Sequence, residues 1–189
     1  MIFEPTLLPG AYIVRPERRR DERGSFARLW CREEFAAHGI EIDVPQASLS
    51  TTQRAGTVRG LHFAWPPAHE GKLVRCERGR VFDVAVDLRP RSAAFLRHIA
   101  VQLDAEEANA VYLPPGVAHG FQTLVDNSAV LYMMSESYRP ELGDGVRHDD
   151  PAFAVRWPVP VTVIAERDRS YPDFDRERHA ARFGAHAVH

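Results

Sequence analysis

Cysteine is scarce in this chain. Two cysteines, Cys31 and Cys76, occur in 189 residues, and neither belongs to a Cys-x-x-Cys spacing. Reduced thiols of a cytoplasmic protein are therefore expected rather than a disulfide framework. No apolar run reaches the roughly 18 residues of a membrane span, so no membrane partner is expected. The opening MIFEPTLLPG has no basic segment leading into a long apolar run, and no signal peptide is expected. Charge of one sign is not in excess either: 24 Lys and Arg stand against 26 Asp and Glu, for a formal net charge of −2. Such a balance gives no global attraction to nucleic acid or anionic membrane, while leaving room for a local basic pocket. No internal repeat or low-complexity linker interrupts the chain.

What is present suits one folded domain. Hydrophobic residues make up 44% and charged residues 26% of a length that can bury a sizeable core. Residues 11–15 read as a strand, 18–26 as a polar turn, 25–31 as a second strand, and 31–39 as a short helix closed by Gly39. Short segments broken by Gly, Pro, Asn and Asp follow at regular spacing, from 46–53 through 73–79, 81–89, 96–103, 109–114 and 120–125 to 129–138. Short alternating strands at such spacing predict an all-β sandwich or barrel rather than βαβ units. In 81–89, Phe82, Val84, Val86 and Leu88 fall on one face and Asp83 and Asp87 on the other. The pattern fades after residue 139, where Val155 and Trp157 are the expected anchors. A single domain over 1–175 is expected, followed by a C-terminal stretch, 176–189, of weak helical character that reads as either a tail or a partner-facing helix. Among the histidines, His38, His98, His179, His186 and His189 sit in polar or terminal contexts and read as structural or exposed.

Two stretches look like a site: GTVRGLHF, 56–63, and VYLPPGVAHGF, 111–121. Gly56 stands six residues before His62, and Pro114-x-Gly116-x-x-His119 follows. These resemble the two halves of the cupin signature, which implies a jelly roll, a double-stranded β-helix. Metal-binding cupins place a second histidine and a glutamate where this chain has Ala64 and Lys72. A protonated lysine is no ligand and repels a cation, so no metal is expected; His69 and Glu70 are the rescue ligands to consider. What remains is a base, His62, a group to stabilise an oxyanion, Lys72, and an acid, Tyr132. That set suits proton abstraction next to a carbonyl.

The ordered series VRGLHF, KLVRC-x-x-G, DVAVDLR, P-x-G-x-AHGF, LY-x5-Y and WP…ERD, from about residue 5 to 175, resembles the dTDP-4-dehydrorhamnose 3,5-epimerase family. The resemblance implies an isomerase acting on a nucleotide-linked 4-keto-6-deoxy sugar at C3 and C5, or at one of them, in deoxysugar biosynthesis. It implies no cofactor. His62 matches the general base, Asp168 the carboxylate that orients it, Lys72 the lysine at the C4 oxygen, and Tyr132 the acid on the opposite face. Arg23, Arg59, His119 and Arg167 match nucleotide-sugar binding positions, with the arginines suited to diphosphate oxygens. Gln46 matches a polar contact, Tyr138 the aromatic that stacks on the base, and Phe26 belongs to the Arg-Gly-x-Phe turn. A cytoplasmic homodimer is implied, its N-terminal strands crossing so that Arg23 serves the neighbouring site.

Alone, several of these residues have plainer readings: Arg23 and Arg167 as surface arginines, Tyr132 as core, Asp168 as a helix cap. The chain also departs from the family pattern. Arg28 and Gly143 stand where glutamates are usual, Ser48 where an asparagine is, and His148 where an aromatic is common. Two rival readings remain at this point. One is a metal-dependent cupin oxygenase or isomerase using His62, His69, Glu70 and His119. The other is a non-catalytic sugar-nucleotide-binding cupin.

Overall fold

Strands outnumber helices fourteen to three in the computed structural model, which describes residues 1–185. In chain order they are β1 (Ile2–Pro5), β2 (Tyr12–Arg15), β3 (Arg19–Asp21), β4 (Gly24–Phe26), α1 (Arg32–Ala36), β5 (Gln46–Thr52), β6 (Thr57–Ala64), β7 (Lys72–Arg78), β8 (Arg80–Asp87), β9 (His98–Asp104), β10 (Ala110–Leu113), β11 (Val117–Thr123), β12 (Ser128–Met134), β13 (Gly143–Gly145), β14 (Val163–Ile164), α2 (Glu166–Arg169) and α3 (Arg176–Ala185). One sheet has the order β1-β2-β10-β7-β12-β5 and the other β13-β6-β11-β8-β9, with β14 added parallel to β6. Between β7 and β12 the chain crosses from one sheet to the other at every step except the β8–β9 hairpin, and all neighbours except β14 run antiparallel. This is the expected cupin jelly roll.

The inner faces meet over Val74 and Cys76 of β7, Val111 and Leu113 of β10 and Val130 of β12. From the other sheet come Val81 and Ala85 of β8, Leu103 of β9, and Val117 and Phe121 of β11. Both outer faces are covered too. Phe35, Ile40 and Ile42, in and after α1, pack on Val14, Leu73 and Tyr112. Phe153, Phe174 and Phe183 pack on Leu61, Phe63, Val84, Val86 and Leu88. That double cover explains why β8 is buried along nearly its whole length rather than on alternate residues.

Three local expectations are corrected. The polar turn at 18–26 is a hairpin, β3 with β4. The strand expected over 25–31 stops at Phe26, and residues 27–31 form no strand. The faded region after 139 contains β13, β14 and α2. Residues 176–185, left open between a tail and a helix, form α3. His179 of that helix is buried, and its Nε2 lies 2.7 Å from the Leu88 carbonyl. Arg182 lies 4.0 Å from the Trp65 ring, close enough for a cation–π contact. The part of that stretch beyond 185, including His186 and His189, lies outside the described residues.

Candidate active site

The inward row of each central strand carries a polar residue among apolar ones. On β7, Lys72 continues the row of Val74 and Cys76. On β8, Asp83 sits between Val81 and Ala85. On β11, His119 sits between Val117 and Phe121. Period two would put Arg59 and His62, three apart on β6, on opposite faces. A bulge prevents that. β6 pairs His62 with His119 and Arg59 with Phe121, so β6 has one extra residue there. Gly60 sits in the bulge at φ +108, where a Cβ would lie 2.6 Å from the His119 carbonyl and 2.7 Å from Gly120 Cα.

These rows open into a cavity of about 440 Å³, lined by His62, Lys72, His119 and Tyr132 at the wall. Arg59, Arg167, Gln46, Ser48, Tyr138 and Gly143 line it as well, and so do Glu70, Arg139 and Asp144, which were not expected there as substrate-binding groups. His62 Nε2 lies 2.7 Å from Asp168 Oδ1, and Asp168 Oδ2 accepts the Gly60 amide at 3.0 Å. Asp168 reaches this place because β14 pairs with the start of β6 and α2 follows directly. Burial alone would raise its pKa. The His62 contact and the Gly60 amide outweigh burial and hold the carboxyl below its usual value.

On the opposite wall Tyr132 comes from β12. Burial and the charge of Asp83 push its phenol well above the usual value, against the pull of Arg59 and Ser50. His119 is buried, with Nε2 2.7 Å from Asp83 Oδ2, and its ring meets Tyr132 edge-on at 5.8 Å. Burial also pushes the Asp83 carboxyl up, in spite of His119 and Lys72. Asp83 shares its face of β8 with Asp87, and nothing in the sequence marked it out for a role at the site. Lys72 Nζ lies 3.1 Å from Glu70 Oε1 and donates to the His62 carbonyl at 3.4 Å.

The rim is cationic. Arg59 donates to Thr52 Oγ1 at 3.0 Å and to the Thr51 carbonyl at 3.1 Å, which fixes it across β5. Arg167 donates to the Tyr171 hydroxyl at 2.9 Å. Gln46 Oε1 accepts the Tyr138 amide at 2.9 Å, and the Tyr138 side chain stays exposed. Three expected residues are not brought into this cavity. Arg23 lies on the β3–β4 hairpin, paired with Asp21 at 2.6 Å. Phe26 and Arg28 line a separate surface hollow, where Arg28 pairs with Glu34 at 2.8 Å. His148 also stays outside, tilted against Trp157. Among the described residues, no three His, Cys, Asp or Glu side chains stand together as a metal-ligand group. Of the suggested rescue ligands, Glu70 is engaged by Lys72.

Fold and site together define a cupin-fold isomerase, in which His62 from one sheet and Lys72 and Tyr132 from the other line a single cavity. The chain belongs to the dTDP-4-dehydrorhamnose 3,5-epimerase family, whose model matches residues 5–176. A dTDP-4-dehydrorhamnose 3,5-epimerase of Methanothermobacter thermautotrophicus is 40% identical over 172 residues, covering 89% of this chain and 92% of the relative. A 4-keto-6-deoxy sugar epimerase from the novobiocin cluster of Streptomyces spheroides superimposes with a TM-score of 0.89 at 36% identity, covering 96% of this chain and 91% of that one. A 3′-monoepimerase from Streptomyces bikiniensis, solved with dTDP-quinovose, gives 0.84 at 32% identity and covers 95% and 90%. The epimerase reading is thereby favoured over a metal-dependent oxygenase or a non-catalytic binding cupin.

Proposed function

We propose that this protein inverts C3 and C5 of a dTDP-linked 4-keto-6-deoxy sugar, with His62, Asp168, Lys72 and Tyr132 as the catalytic set. Both carbons flank the C4 ketone, so one enolate chemistry serves both. The observation that carries the reading is the His62–Asp168 contact at 2.7 Å on one side of a cavity whose other side presents Tyr132. The carboxylate fixes a proton on His62 Nε2 and leaves Nδ1 free to accept one. His62 removes the proton alpha to the ketone, and the C–H pair moves into an enolate. Lys72 stabilises the charge that collects on the C4 oxygen. Tyr132, protonated because its environment disfavours the phenolate, returns a proton to the other face. The enolate collapses to the ketone with the carbon inverted. His62 then holds an extra proton and Tyr132 lacks one, and exchange with water resets both.

Arg59 and Arg167 suit the diphosphate, and Tyr138 with Gln46 suits the nucleotide base. The family's pattern supports a homodimer in the cytoplasm in which Arg23, Phe26 and Arg28 of the exposed hairpin region serve the neighbouring site. Their absence from the cavity of their own chain is consistent with that arrangement.

The test is turnover of dTDP-4-keto-6-deoxyglucose by His62→Ala. A positioned base contributes on the order of 10²–10⁴ in rate, and a loss of that size with the fold intact is expected. Near-normal turnover would sink the role given to His62.

A further inference from the structure

An ammonium has three N–H donors and no acceptor. Two acceptors near Lys72 belong to the protein itself: Glu70 Oε1 at 3.1 Å and the His62 carbonyl at 3.4 Å. That leaves one donor for a substrate oxygen. The pair is well shielded, with the Lys72 side chain 9% and that of Glu70 11% exposed, and both line the cavity.

Glu70 lies in the connection between β6 and β7, where a carboxylate would ordinarily swing. Here the backbone is pinned on both sides of it. Ser135 Oγ donates to the His69 carbonyl at 2.8 Å and accepts the Gly71 amide at 2.7 Å. The Ser135 amide donates to the Gly71 carbonyl at 2.9 Å, and Glu136 takes the His69 amide at 2.9 Å. The end of β12 thus clamps the residue that faces Lys72. A second carboxylate, Asp83, lies behind His119, with Oδ2 2.7 Å from the His119 Nε2. Asp83 feels the Lys72 charge, and its buried Oδ1 has no hydrogen-bond partner. A lysine released from Glu70 has that unsatisfied oxygen to turn to.

We propose that Glu70 is a positioning residue that holds the Lys72 ammonium at the cavity wall, away from Asp83, with one N–H presented to the oxygen that becomes the enolate. This rests on the electrophile role given to Lys72 above. Glu70 acts through Lys72 and touches no reacting atom. Because the ammonium is also bonded to the His62 backbone, Glu70 fixes the spacing between base and electrophile.

The test is steady-state kinetics on dTDP-4-keto-6-deoxyglucose for Glu70→Ala, Glu70→Gln, Lys72→Ala and the double variant Glu70→Ala/Lys72→Ala. Glu70→Ala is expected to lower kcat on the order of tenfold while leaving KM within about twofold. Glu70→Gln keeps an oxygen acceptor and is expected to recover most of that loss, and it stands in should the alanine variant fail to fold. In the Lys72→Ala background, Glu70→Ala is expected to cost nothing further, because the group it positions is gone. Unchanged kcat in Glu70→Ala, a glutamine variant as slow as the alanine one, or the same factor lost again without Lys72 would each overturn the proposal. Full turnover by Lys72→Ala would remove the electrophile reading itself, and this inference with it.

Discussion

The His62–Asp168 contact joins residues 106 positions apart, and it sets the pH behaviour of the site. Burial raises the Asp168 pKa, but the His62 contact and the Gly60 amide pull it below the usual carboxylate value. The folded value is thus the lower one. Stability from this carboxylate is fully present above the unfolded value and is lost as pH falls through the folded one. Urea midpoints of the protein should therefore fall with pH below about 4, and Asp168→Asn should flatten that fall. An equally steep fall in the variant would assign the acid sensitivity to other groups. Tyr132→Phe has a sharper signature than slow turnover. Abstraction by His62 survives while the return on the far face does not, so solvent deuterium should enter the starting sugar without inversion. Inversion at the native rate would remove Tyr132 as the acid. His62, Lys72 and Tyr132 were legible because each stands in a spaced motif. Asp83 and Glu70 were harder to see, since an acid in a strand and an acid in a loop acquire their meaning from a partner on another strand.

At the scale of elements, the bulge in β6 does what strand alternation cannot: it turns both Arg59 and His62 into the cavity. Gly60 makes it possible, because a side chain there meets the backbone of β11. Gly60→Ala should destabilise by about 1–3 kcal/mol through forced backbone shifts. It should also lower kcat, because His62 shares the displaced strand. A melting curve and a rate measurement on the same preparation check both, and an unchanged rate would mean that the bulge does not position the base. The bulge was invisible in the sequence because a lone glycine in a strand has several uses. The strands themselves were legible from their spacing and alternation. β13, β14 and α2 were not, since two- to four-residue elements have too little periodicity to register; β13 and β14 are placed by pairing with β6, and α2 by the Asp168 contacts to Gly60 and His62. Helix α3 has few apolar residues to announce it. It is held by His179 at the Leu88 carbonyl and by Phe183 and Arg182 at the Trp65 ring, contacts that exist only once the outer sheet face has formed.

For the whole molecule, the expected family fold was legible because its motifs arrive in order along the chain. Assembly is a separate matter. Leu7, Phe26 and Leu49 are large apolar side chains left exposed on the single chain. The proposed homodimer predicts twice the chain mass by light scattering. Mixing an Arg23→Ala chain with a His62→Ala chain should then restore some activity, because one of the two sites receives both intact residues. A monomer, or no complementation in a mixed dimer, would refute a shared site.

The most direct test of the central claim is proton exchange followed by NMR, with the protein and dTDP-4-keto-6-deoxyglucose in D2O. Each inversion takes its new proton from a group that exchanges with water. Loss of both the C3 and C5 proton signals, with inversion at each carbon, is the predicted result. Loss at C3 alone would contradict double epimerisation and make the protein a monoepimerase, and retention of both signals would contradict proton abstraction from this sugar.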